Sequence, residues 1–292
     1  MKISAIINTF NEEKKLPRCI NSLKDFVDEI VVVDMNSSDR TIKVAEELGA
    51  KVFKHDYVGY VEPARNFALR QAQGDWILLI DADEEAPEAL LKDLKAIVKE
   101  NKVDYVNLPR KNLIFGKWIK HSRWWPDYNV RFFRKDKVEW NNKIHSIPMT
   151  QGRGMEIPAE EKYALVHHNY QTISQYLERN DRYSSVMATE LVSEGYHFSS
   201  KDLIKRPFAE FISRYYAGQG FKDGLHGLVL AILQANTEFL TYLKVWEKEK
   251  FTDQDVDFFA KTTQQSINDL FHWQGKTSSL YQKIRLKLKK SI

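Results

Sequence analysis

The sequence has little of what marks an exported or membrane-spanning chain. Cys19 is its only cysteine, which excludes an internal disulfide and is typical of proteins from a reducing compartment. No stretch approaches the roughly 18 consecutive apolar residues that a membrane-spanning helix needs. The apolar run over residues 3–7 ends at Asn8 and no small-residue cleavage site follows it, so a signal peptide is not indicated. Together these features predict a cytoplasmic protein.

The sequence also lacks a strong excess of one charge, although its charge is unevenly distributed. The formal net charge is +4, whereas a nucleic-acid-binding domain usually carries a strongly basic patch. We therefore expect no nucleic-acid partner. From Lys276 to the C-terminus, however, there are six Lys or Arg residues and no acidic residue, and this segment is a candidate for attraction to an anionic surface.

Strand and helix patterns alternate over the first hundred residues. Short apolar, β-branched runs, typical of buried strands, occupy residues 3–7, 29–34, 51–55 and 76–80. Helical patterns occupy residues 11–24, 40–48, 62–73 and 87–100. Asn11 is the expected N-terminal cap of the first helix. The alternation predicts βαβ units on a parallel sheet, whose strand C-termini line the edge where α/β proteins bind ligands.

The later part of the chain shows two other patterns. Short strand signals, turns and aromatic residues fill residues 103–166, which is typical of a mixed extension of the sheet. From Ser174 onward the pattern is helical. We therefore predict an α/β fold in which a mostly parallel, Rossmann-like core of residues 1–170 precedes an α-helical region of residues 171–292.

Two carboxylates stand where the fourth predicted strand ends. The strand leads into Asp81-Ala82-Asp83, and two acids at the mouth of a sheet repel each other unless a cation lies between them. Mg²⁺ and Mn²⁺ accept one or two carboxylates together with diphosphate oxygens, and such an ion offsets the charge of a leaving nucleoside diphosphate. The pattern favours a metal-dependent nucleotide site on Asp81, Ala82 and Asp83. The alternative is an ordinary capping turn with solvated acids.

Polar residues follow the other strands at the same predicted edge. Thr9 ends the first strand and offers its hydroxyl and backbone to a base. Asp34 ends the second strand and can accept hydrogen bonds from a base N–H or from ribose hydroxyls. Arg65, near the start of the third helix, is placed to pair with a diphosphate or with the acids of the metal site. Taken singly, each residue is also compatible with ordinary loop, cap or surface chemistry.

Four motifs occur together in the order and spacing of one family. They are Asn8-Thr9-Phe10-Asn11-Glu12, Val31-Val32-Val33-Asp34 with Ser37-Ser38-Asp39-Arg40-Thr41, Ala64-Arg65-Asn66, and Gly74-Asp75-Trp76 leading into Asp81-Ala82-Asp83. In these motifs the chain resembles the family 2 glycosyltransferases of the GT-A fold. The resemblance implies a nucleotide-sugar donor and inversion at the anomeric carbon. The resemblance places Asp83 at the metal and Arg65 near the sugar or diphosphate. The residues that it places at the nucleoside are Thr9, Asn11, Glu12 and Asp34.

A weaker resemblance concerns the acceptor side. Residues 125–134 are similar to a segment of the lipopolysaccharide-core glucosyltransferase branch of that family, in which a later His-Glu pair often follows. Here the corresponding place reads Ile144-His145-Ser146. An inverting transfer needs a general base within hydrogen-bond reach of the acceptor hydroxyl. Asp127 and His145 are the candidates, and Asp127, among tryptophans, is expected to have a pKa raised by desolvation.

A pair of histidines, His167-His168, follows a strand-like run near the predicted end of the core. Neutral imidazole is a common ligand of divalent ions, so a histidine at this place can complete the metal site. Adjacent residues of a strand point to opposite faces, which leaves at most one of the two for this role. The alternative is a histidine of the core or of the surface.

Apolar residues recur at helical spacing in the last third of the chain, chiefly over residues 208–217 and 225–245. Such stripes usually form a core or a contact between subunits, and the second of these alternatives implies a homo-oligomer. The rival interpretation is contact with lipid headgroups, because aromatic and basic residues accompany the stripes and residues 283–290 add positive charge. That interpretation predicts peripheral attachment to the inner face of an anionic membrane and suits a lipid-linked acceptor.

The sequence as a whole predicts an inverting glycosyltransferase that uses Mg²⁺ or Mn²⁺. It moves a hexose or an N-acetylhexosamine from a nucleotide-sugar to a glycan or lipid-linked acceptor in cell-envelope polysaccharide or lipopolysaccharide synthesis. A sugar nucleotidyltransferase is one rival, but residues 8–16 contain no glycine and so lack the Gly-rich phosphate loop expected of that class. The other rival is a non-catalytic, nucleotide-binding assembly subunit, because the Glu after His145 is missing.

Overall fold

The computed structural model describes residues 1–57, 62–140 and 148–277. They form two compact units, residues 1–114 with 125–169, and residues 115–124 with the chain from residue 170 onward. The chain therefore leaves the first unit at residue 115 and returns to it at residue 125. His145 and residues 278–292, which hold most of the basic C-terminal segment, lie outside the described residues.

Strands and helices alternate at the start of the chain, as the sequence predicts. In chain order the strands are β1 (Ile3–Thr9), β2 (Glu29–Asp34), β3 (Lys51–Lys54), β4 (Trp76–Asp81), β5 (Glu84–Glu85), β6 (Tyr105–Leu108), β7 (Arg110–Ile114), β8 (Lys117–Trp118), β9 (Asn129–Arg134), β10 (Val138–Glu139), β11 (Met149–Thr150), β12 (Gly154–Glu156) and β13 (Leu165–His168). The α-helices are α1 (Leu16–Leu23), α2 (Thr41–Glu47), α3 (Glu62–Gln71), α4 (Glu88–Glu100), α5 (Ile173–Ser193), α6 (Asp202–Ile212), α7 (Leu225–Lys248) and α8 (Phe259–Thr277).

The main sheet has the strand order β12-β6-β9-β4-β1-β2-β3. Strands β1 to β4 run parallel, while β9 lies antiparallel between β4 and β6. In this register Thr9 lies opposite Asp34, and Asn8 lies opposite Asp81. The predicted α/β class with a mostly parallel sheet is confirmed, and the sheet brings the ends of β1, β2 and β4 side by side.

Both faces of the main sheet are covered, which explains why its strands read as continuous apolar runs. One face, with Ile7, Leu78 and Ile80, packs on α1 and α4. The other face, with Val31 and Leu79, packs on α3. Because alternate side chains of a strand point to opposite faces, each strand contributes to two cores. The loops at the C-terminal edge therefore follow strands that are packed on both faces.

A smaller sheet places β13 between β5 and β7. Strand β13 pairs antiparallel with β5, where His167 lies opposite Glu84, and parallel with β7, where His167 lies opposite Asn112. His167 is buried and His168 is half-buried, as the alternation of a strand requires. The register therefore brings Glu84, His167 and Asn112 next to one another from three separate parts of the chain.

The first helix begins later than the sequence predicts. Helix α1 starts at Leu16, with Lys15 at its N-cap and no side-chain cap hydrogen bond. Asn11 instead has a φ of 56°, in the left-handed region that asparagine tolerates. Its side-chain oxygen accepts hydrogen bonds from the backbone N–H groups of Ser38 and Asp39. The prediction of an Asn11 cap is therefore wrong, because the loop after β2 competes for that side chain.

The second unit is built on α5 to α8, with α7 packed against α5 and α6, and α8 packed against α6. The segment 115–124 joins these helices through polar contacts. Lys117 Nζ donates to the carbonyl oxygen of Asp223 at 2.7 Å, and Ser122 Oγ donates to that of Arg214 at 2.8 Å. Among the helices of the described residues, none combines the length and the apolar character that a membrane span requires.

Candidate active site

Asp34, at the end of β2, binds groups of two neighbouring loops. Its carboxylate accepts hydrogen bonds from Thr9 Oγ1 at 3.1 Å and from Ser37 N at 2.8 Å. Ser37 Oγ donates to the same carboxylate at 2.5 Å. Asp34 is 0% exposed and Thr9 is 1% exposed, so these contacts hold the ends of β1 and β2 in one arrangement.

The loops after β1 and β2 are clamped together by further hydrogen bonds. Asn11 N donates to Ser37 Oγ at 2.8 Å, and Asn11 Oδ1 accepts from Ser38 N at 2.8 Å. Glu12 N donates to Thr41 Oγ1 at 2.8 Å. The structure thus brings the four predicted nucleoside-site residues together at one edge of the sheet, and their contact with a nucleoside stays a prediction.

Asp81, the last residue of β4, is surrounded by arginine side chains. Arg131 donates to both carboxylate oxygens, with Nη1 at 3.2 Å from Oδ1 and Nη2 bound to Oδ2. Arg65 Nη2 lies 3.9 Å from Oδ1, and Arg110 Nη1 lies 3.9 Å from Oδ2. Burial raises the pKa of this carboxyl, but the charges of Arg131 and Arg65 outweigh burial and hold the pKa well below its usual range. Asp81 is therefore ionised and paired within the protein.

Glu84 is fully buried and extends this network. Its Oε2 accepts from Asp81 N at 3.0 Å, and its Oε1 lies 3.3 Å from both Arg110 Nη1 and Arg131 Nη2. Burial lowers the pKa of the Arg131 guanidinium, but Asp81 and Glu84 outweigh burial and raise the pKa above its ordinary value. A lone buried charge is strongly unfavourable, so these charged groups stay paired. Their pairing holds the Asp81 carboxylate in one orientation.

The sequence patterns did not single out Glu84, Arg110 or Arg131 as site residues. Arg131 carries the one usable signal, because it is a charged residue between Val130 and Phe132 in a buried strand, and a buried charge needs a partner. Glu84 and Arg110 carry no such signal. Their partners come from other strands and are set by the register of the sheets.

Asp83 lies beside a histidine. Its Oδ1 is 3.5 Å from His167 Nε2, and its Oδ2 is 4.0 Å from Lys15 Nζ. On the other face of β13, His168 Nε2 lies 3.6 Å from Glu85 Oε2. The two acids of Asp81-Ala82-Asp83 therefore have different partners. Only His167 of the histidine pair lies beside Asp83, in agreement with the limit of one that strand alternation sets.

Asp127, just before β9, is bound by an arginine and by two side-chain amides. Its Oδ2 accepts from Arg110 Nε at 2.8 Å, from Arg110 Nη2 at 2.6 Å and from Asn112 Nδ2 at 3.0 Å. Its Oδ1 lies 3.3 Å from Asn129 Nδ2. Burial raises the pKa of Asp127, but the charge of Arg110 and the hydrogen bonds together lower it below its ordinary value. The expectation of a raised pKa is therefore wrong, because the ion pair and hydrogen bonds exceed desolvation.

Asn112, fully buried in β7, connects Asp127 with His167. Its Nδ2 donates to Asp127 Oδ2 at 3.0 Å, and its Oδ1 lies 2.6 Å from His167 Nδ1. A chain of contacts therefore runs from Asp83 through His167 and Asn112 to Asp127. It joins the predicted metal position to a predicted general base.

Asp83 and His167 fit a divalent cation as a partial set of ligands. Within residues 1–57, 62–140 and 148–277, no group of three or more His, Cys, Asp or Glu residues could hold a metal ion. Mg²⁺, however, is usually bound by one or two protein ligands while water and substrate phosphates complete its shell. Nδ1 of His167 also faces an acceptor oxygen, as in histidines that bind metals through the other nitrogen.

Comparison with known proteins decides the family. The family model for glycosyl transferase family 2 matches residues 4–156. An uncharacterized glycosyltransferase of Rickettsia typhi (strain ATCC VR-144 / Wilmington) is 32% identical over 255 residues, which cover 84% of this chain and 87% of the relative. The chain belongs to glycosyl transferase family 2. The predicted family is confirmed, and the protein is a glycosyltransferase.

Two further relatives of this family 2 chain have more specific names. The lipopolysaccharide core biosynthesis glycosyltransferase LpsC of Rhizobium meliloti (strain 1021) is 25% identical over 256 residues, covering 85% of this chain and 93% of LpsC. The poly(ribitol-phosphate) beta-N-acetylglucosaminyltransferase TarS of Staphylococcus aureus (strain Mu50 / ATCC 700699) is 27% identical over 251 residues. That match covers 82% of this chain and 42% of TarS.

The family 2 match covers most of the site but not all of it. Residues 4–156 include the loops after β1, β2 and β4, together with Asn112 and Asp127. His167 lies beyond the matched residues. Its place beside Asp83 therefore rests on the pairing of β13 with β5 and β7 in this chain.

Proposed function

We propose that this glycosyltransferase moves a hexose or an N-acetylhexosamine, with inversion at the anomeric carbon, from a nucleoside diphosphate sugar to a glycan or lipid-linked acceptor. The observation that carries the proposal is the chain of contacts from Asp83 through His167 and Asn112 to Asp127. It joins a pair fit for a divalent ion to a carboxylate able to accept a proton. A transfer that expels a diphosphate and deprotonates a hydroxyl needs both.

On the donor side, Asp83 and His167 would hold Mg²⁺ or Mn²⁺, which when bound supplies positive charge to the leaving diphosphate. Asp81 is a second predicted ligand of the ion and stays a prediction, since its carboxylate is bound by Arg131. Arg65, within 3.9 Å of Asp81, adds a second positive charge beside the same position. A guanidinium suits diphosphate oxygens because it donates two parallel hydrogen bonds.

The loops after β1 and β2 are the proposed nucleoside site. Thr9 and Asp34 are buried and shape this site from within, whereas Asn11 is exposed and Glu12 is half-buried, so these two are placed to contact a base or ribose. Ala82, between the two acids, contributes its backbone to the donor site. Exposure thus separates residues that shape the site from residues that touch the ligand.

On the acceptor side, Asp127 is the proposed general base. Arg110 and Asn112 bind its Oδ2 and orient the carboxylate. Asp127 takes the proton of the acceptor hydroxyl while the acceptor oxygen bonds to the anomeric carbon. The bond from that carbon to the diphosphate oxygen breaks, and its electron pair leaves with the diphosphate. His145, the other predicted base, lies outside the described residues and stays a prediction.

Turnover of a panel of UDP-, GDP- and dTDP-sugars tests the proposal. With Mn²⁺ or Mg²⁺ present, we expect one donor to release its nucleoside diphosphate, and faster release when an acceptor is added. EDTA should abolish the release and excess Mn²⁺ should restore it. Turnover that persists in EDTA would contradict the metal assignment. Tight nucleotide binding without release from any donor would support the non-catalytic assembly subunit instead.

A role in cell-envelope polysaccharide or lipopolysaccharide synthesis is the proposed setting. The names of LpsC and TarS, which refer to lipopolysaccharide core and to poly(ribitol-phosphate), support it. Envelope glycans and lipid-linked saccharides should then accept the sugar in the same panel. Transfer to small soluble alcohols alone would argue against this setting.

Residues 171–292 are the proposed region of contact with an anionic membrane or with a second copy, and residues 1–170 the catalytic core. On α7, Leu225, Ile232 and Phe239 recur every seven residues and are 73%, 53% and 38% exposed. Sedimentation with anionic vesicles should show binding that falls with salt and weakens when residues 276–292 are deleted. Unchanged vesicle binding after the deletion would rule out a role for the basic segment. A dimer in light scattering without vesicle binding would favour the second copy.

A further inference from the structure

We propose that Asn112 is a positioning residue that prepares the metal site and the general base together. It does so by fixing which ring nitrogen of His167 carries the proton and by orienting Asp127. This inference rests on the function proposed above. Asn112 is fully buried in β7 and lies opposite His167 in the parallel pairing with β13, and its amide contacts both residues.

The orientation of the Asn112 amide follows from its partner Asp127. Asp127 is paired with Arg110 at 2.6 Å and is ionised, and an ionised carboxylate only accepts hydrogen bonds. The amide group that faces Asp127 Oδ2 at 3.0 Å is therefore the NH₂ group. The amide oxygen then faces His167 Nδ1 at 2.6 Å. Because an amide oxygen also only accepts, Nδ1 of His167 carries a proton.

The consequence lies at the other ring nitrogen of His167. When the ring is neutral, a proton on Nδ1 leaves the lone pair on Nε2, and Nε2 lies 3.5 Å from Asp83 Oδ1. Two hydrogen-bond acceptors that face each other favour a cation between them. Asn112 thereby prepares His167 as a ligand before the ion binds, as the outer partners of metal-bound histidines do.

The NH₂ group of Asn112 acts on Asp127. Together with Arg110, it donates to Oδ2 and occupies the lone pairs of that oxygen. The proton of the acceptor hydroxyl is then directed to Oδ1, whose contact with Asn129 Nδ2 is longer at 3.3 Å. One buried amide thus sets a proton position on the donor side and a carboxylate orientation on the acceptor side.

Two substitutions of similar size separate these contacts. Asn112→Asp keeps an acceptor for His167 Nδ1–H but replaces the donor that binds Asp127, whereas Asn112→Leu removes both. We expect Asn112→Asp to bind Mn²⁺, in the presence of UDP, within about threefold of the wild-type affinity, while kcat falls about 100-fold. Asn112→Leu should lose about 10- to 100-fold in Mn²⁺ affinity as well as kcat. Mn²⁺ titrations followed by electron paramagnetic resonance measure the affinities.

A second readout needs neither turnover nor the ion. The ¹⁵N chemical shifts of the ring nitrogens, assigned with a His167→Gln variant, report the tautomer of His167 in the metal-free protein. At a pH high enough for the ring to be neutral, we expect protonated Nδ1 and bare Nε2 in the wild type and in Asn112→Asp. In Asn112→Leu we expect a mixture of tautomers, because Nε2–H is then free to donate to Asp83. The wild-type spectrum tests the inference even where a variant fails to fold.

Asn180 of α5 provides the matched control, since it is another buried asparagine. Asn180→Leu should leave both the tautomer of His167 and the Mn²⁺ affinity unchanged. A wild-type His167 whose ring proton sits on Nε2, or an Asn112→Leu protein with wild-type Mn²⁺ affinity, would overturn the inference. Failure of the proposed metal site would give a result different from failure of the role of Asn112. If His167 is not a metal ligand, His167→Gln should bind Mn²⁺ in the presence of UDP as tightly as the wild type.

Discussion

Asp83→Ala is expected to lower kcat by at least about 10³-fold. Asp83 Oδ1 lies 3.5 Å from His167 Nε2 and supplies the carboxylate of the proposed metal site. Without it, the diphosphate leaves with less charge stabilisation, and a loss of about 4 kcal/mol in the transition state corresponds to this factor. Donor turnover at saturating Mn²⁺ measures kcat, and a Mn²⁺ titration in the presence of UDP should show a parallel loss of affinity.

The control for this substitution is an acid outside the site. Glu88 on α4 is exposed and pairs with Lys92 at 2.7 Å, so Glu88→Ala should retain the wild-type kcat. Circular dichroism should show the same secondary structure for both variants and the wild type. An Asp83→Ala protein that turns over donor at the wild-type rate would contradict the metal assignment.

Asp127→Asn is expected to lower kcat by roughly 10²- to 10⁴-fold, the range typical of a lost general base. Asparagine keeps the size of the side chain and an oxygen for Arg110, but it does not take a proton from the acceptor hydroxyl. Mn²⁺ and UDP binding should therefore stay near the wild type, unlike in Asp83→Ala. Asp136→Asn, at an exposed position soon after β9, is the matched control. A wild-type kcat in Asp127→Asn would transfer the role of base to another group, with His145 as the remaining predicted candidate.

The pH profile examines the same carboxylate independently. Burial raises the pKa of Asp127, but Arg110 and the hydrogen bond from Asn112 contribute to a net lowering. A base works in its ionised form, and a lowered pKa keeps Asp127 ionised at every pH above its ordinary value of about 3.9. We therefore expect no fall in kcat/KM from this group between about pH 8 and pH 5. An acid limb near about pH 6 that remains at saturating Mn²⁺, where protonation of His167 no longer limits metal binding, would indicate a histidine base and favour His145.

The edge formed by the C-terminal ends of β1, β2 and β4 was predictable from local patterns. Residues 29–34 and 76–80 read as buried strands because both faces of a parallel sheet are covered, and β2 and β4 contain them. The βαβ alternation implies parallel neighbours with their C-termini at one edge. In-register pairing of β1 with both strands then places Thr9 opposite Asp34 and Asn8 opposite Asp81, as this logic requires.

The different partners of Asp81 and Asp83 were not predictable in this way. Arg131, which binds Asp81, comes from β9, 50 residues later in the chain and antiparallel to β4. Local patterns do not set an antiparallel register over such a distance. The pKa of Asp127 was not predictable for a related reason. Residues near Asp127 in the sequence are aromatic and suggest desolvation, whereas the charge that lowers the pKa comes from Arg110 in the separate strand β7.

The sequence predicted that at most one histidine of the pair reaches the site, but not which one or what holds it. The limit to one histidine follows from the alternation of side chains along a strand. Which histidine lies at the site depends on the pairing of β13 with β5 and β7, which places His167 opposite Asn112 and Glu84. Asn112 therefore had no signal of its own in the sequence, since a single asparagine in a strand carries no information about a partner 55 residues away.

A crystal soaked with MnCl₂ and UDP, measured at the manganese absorption edge, tests directly whether Asp83 and His167 share one ion. We predict a single anomalous peak within coordination distance of an Asp83 carboxylate oxygen and of His167 Nε2, in contact with the diphosphate of UDP. A manganese peak bound by Asp81 without His167, or bound UDP with no peak beside Asp83, would contradict the assignment of these two residues as the metal ligands.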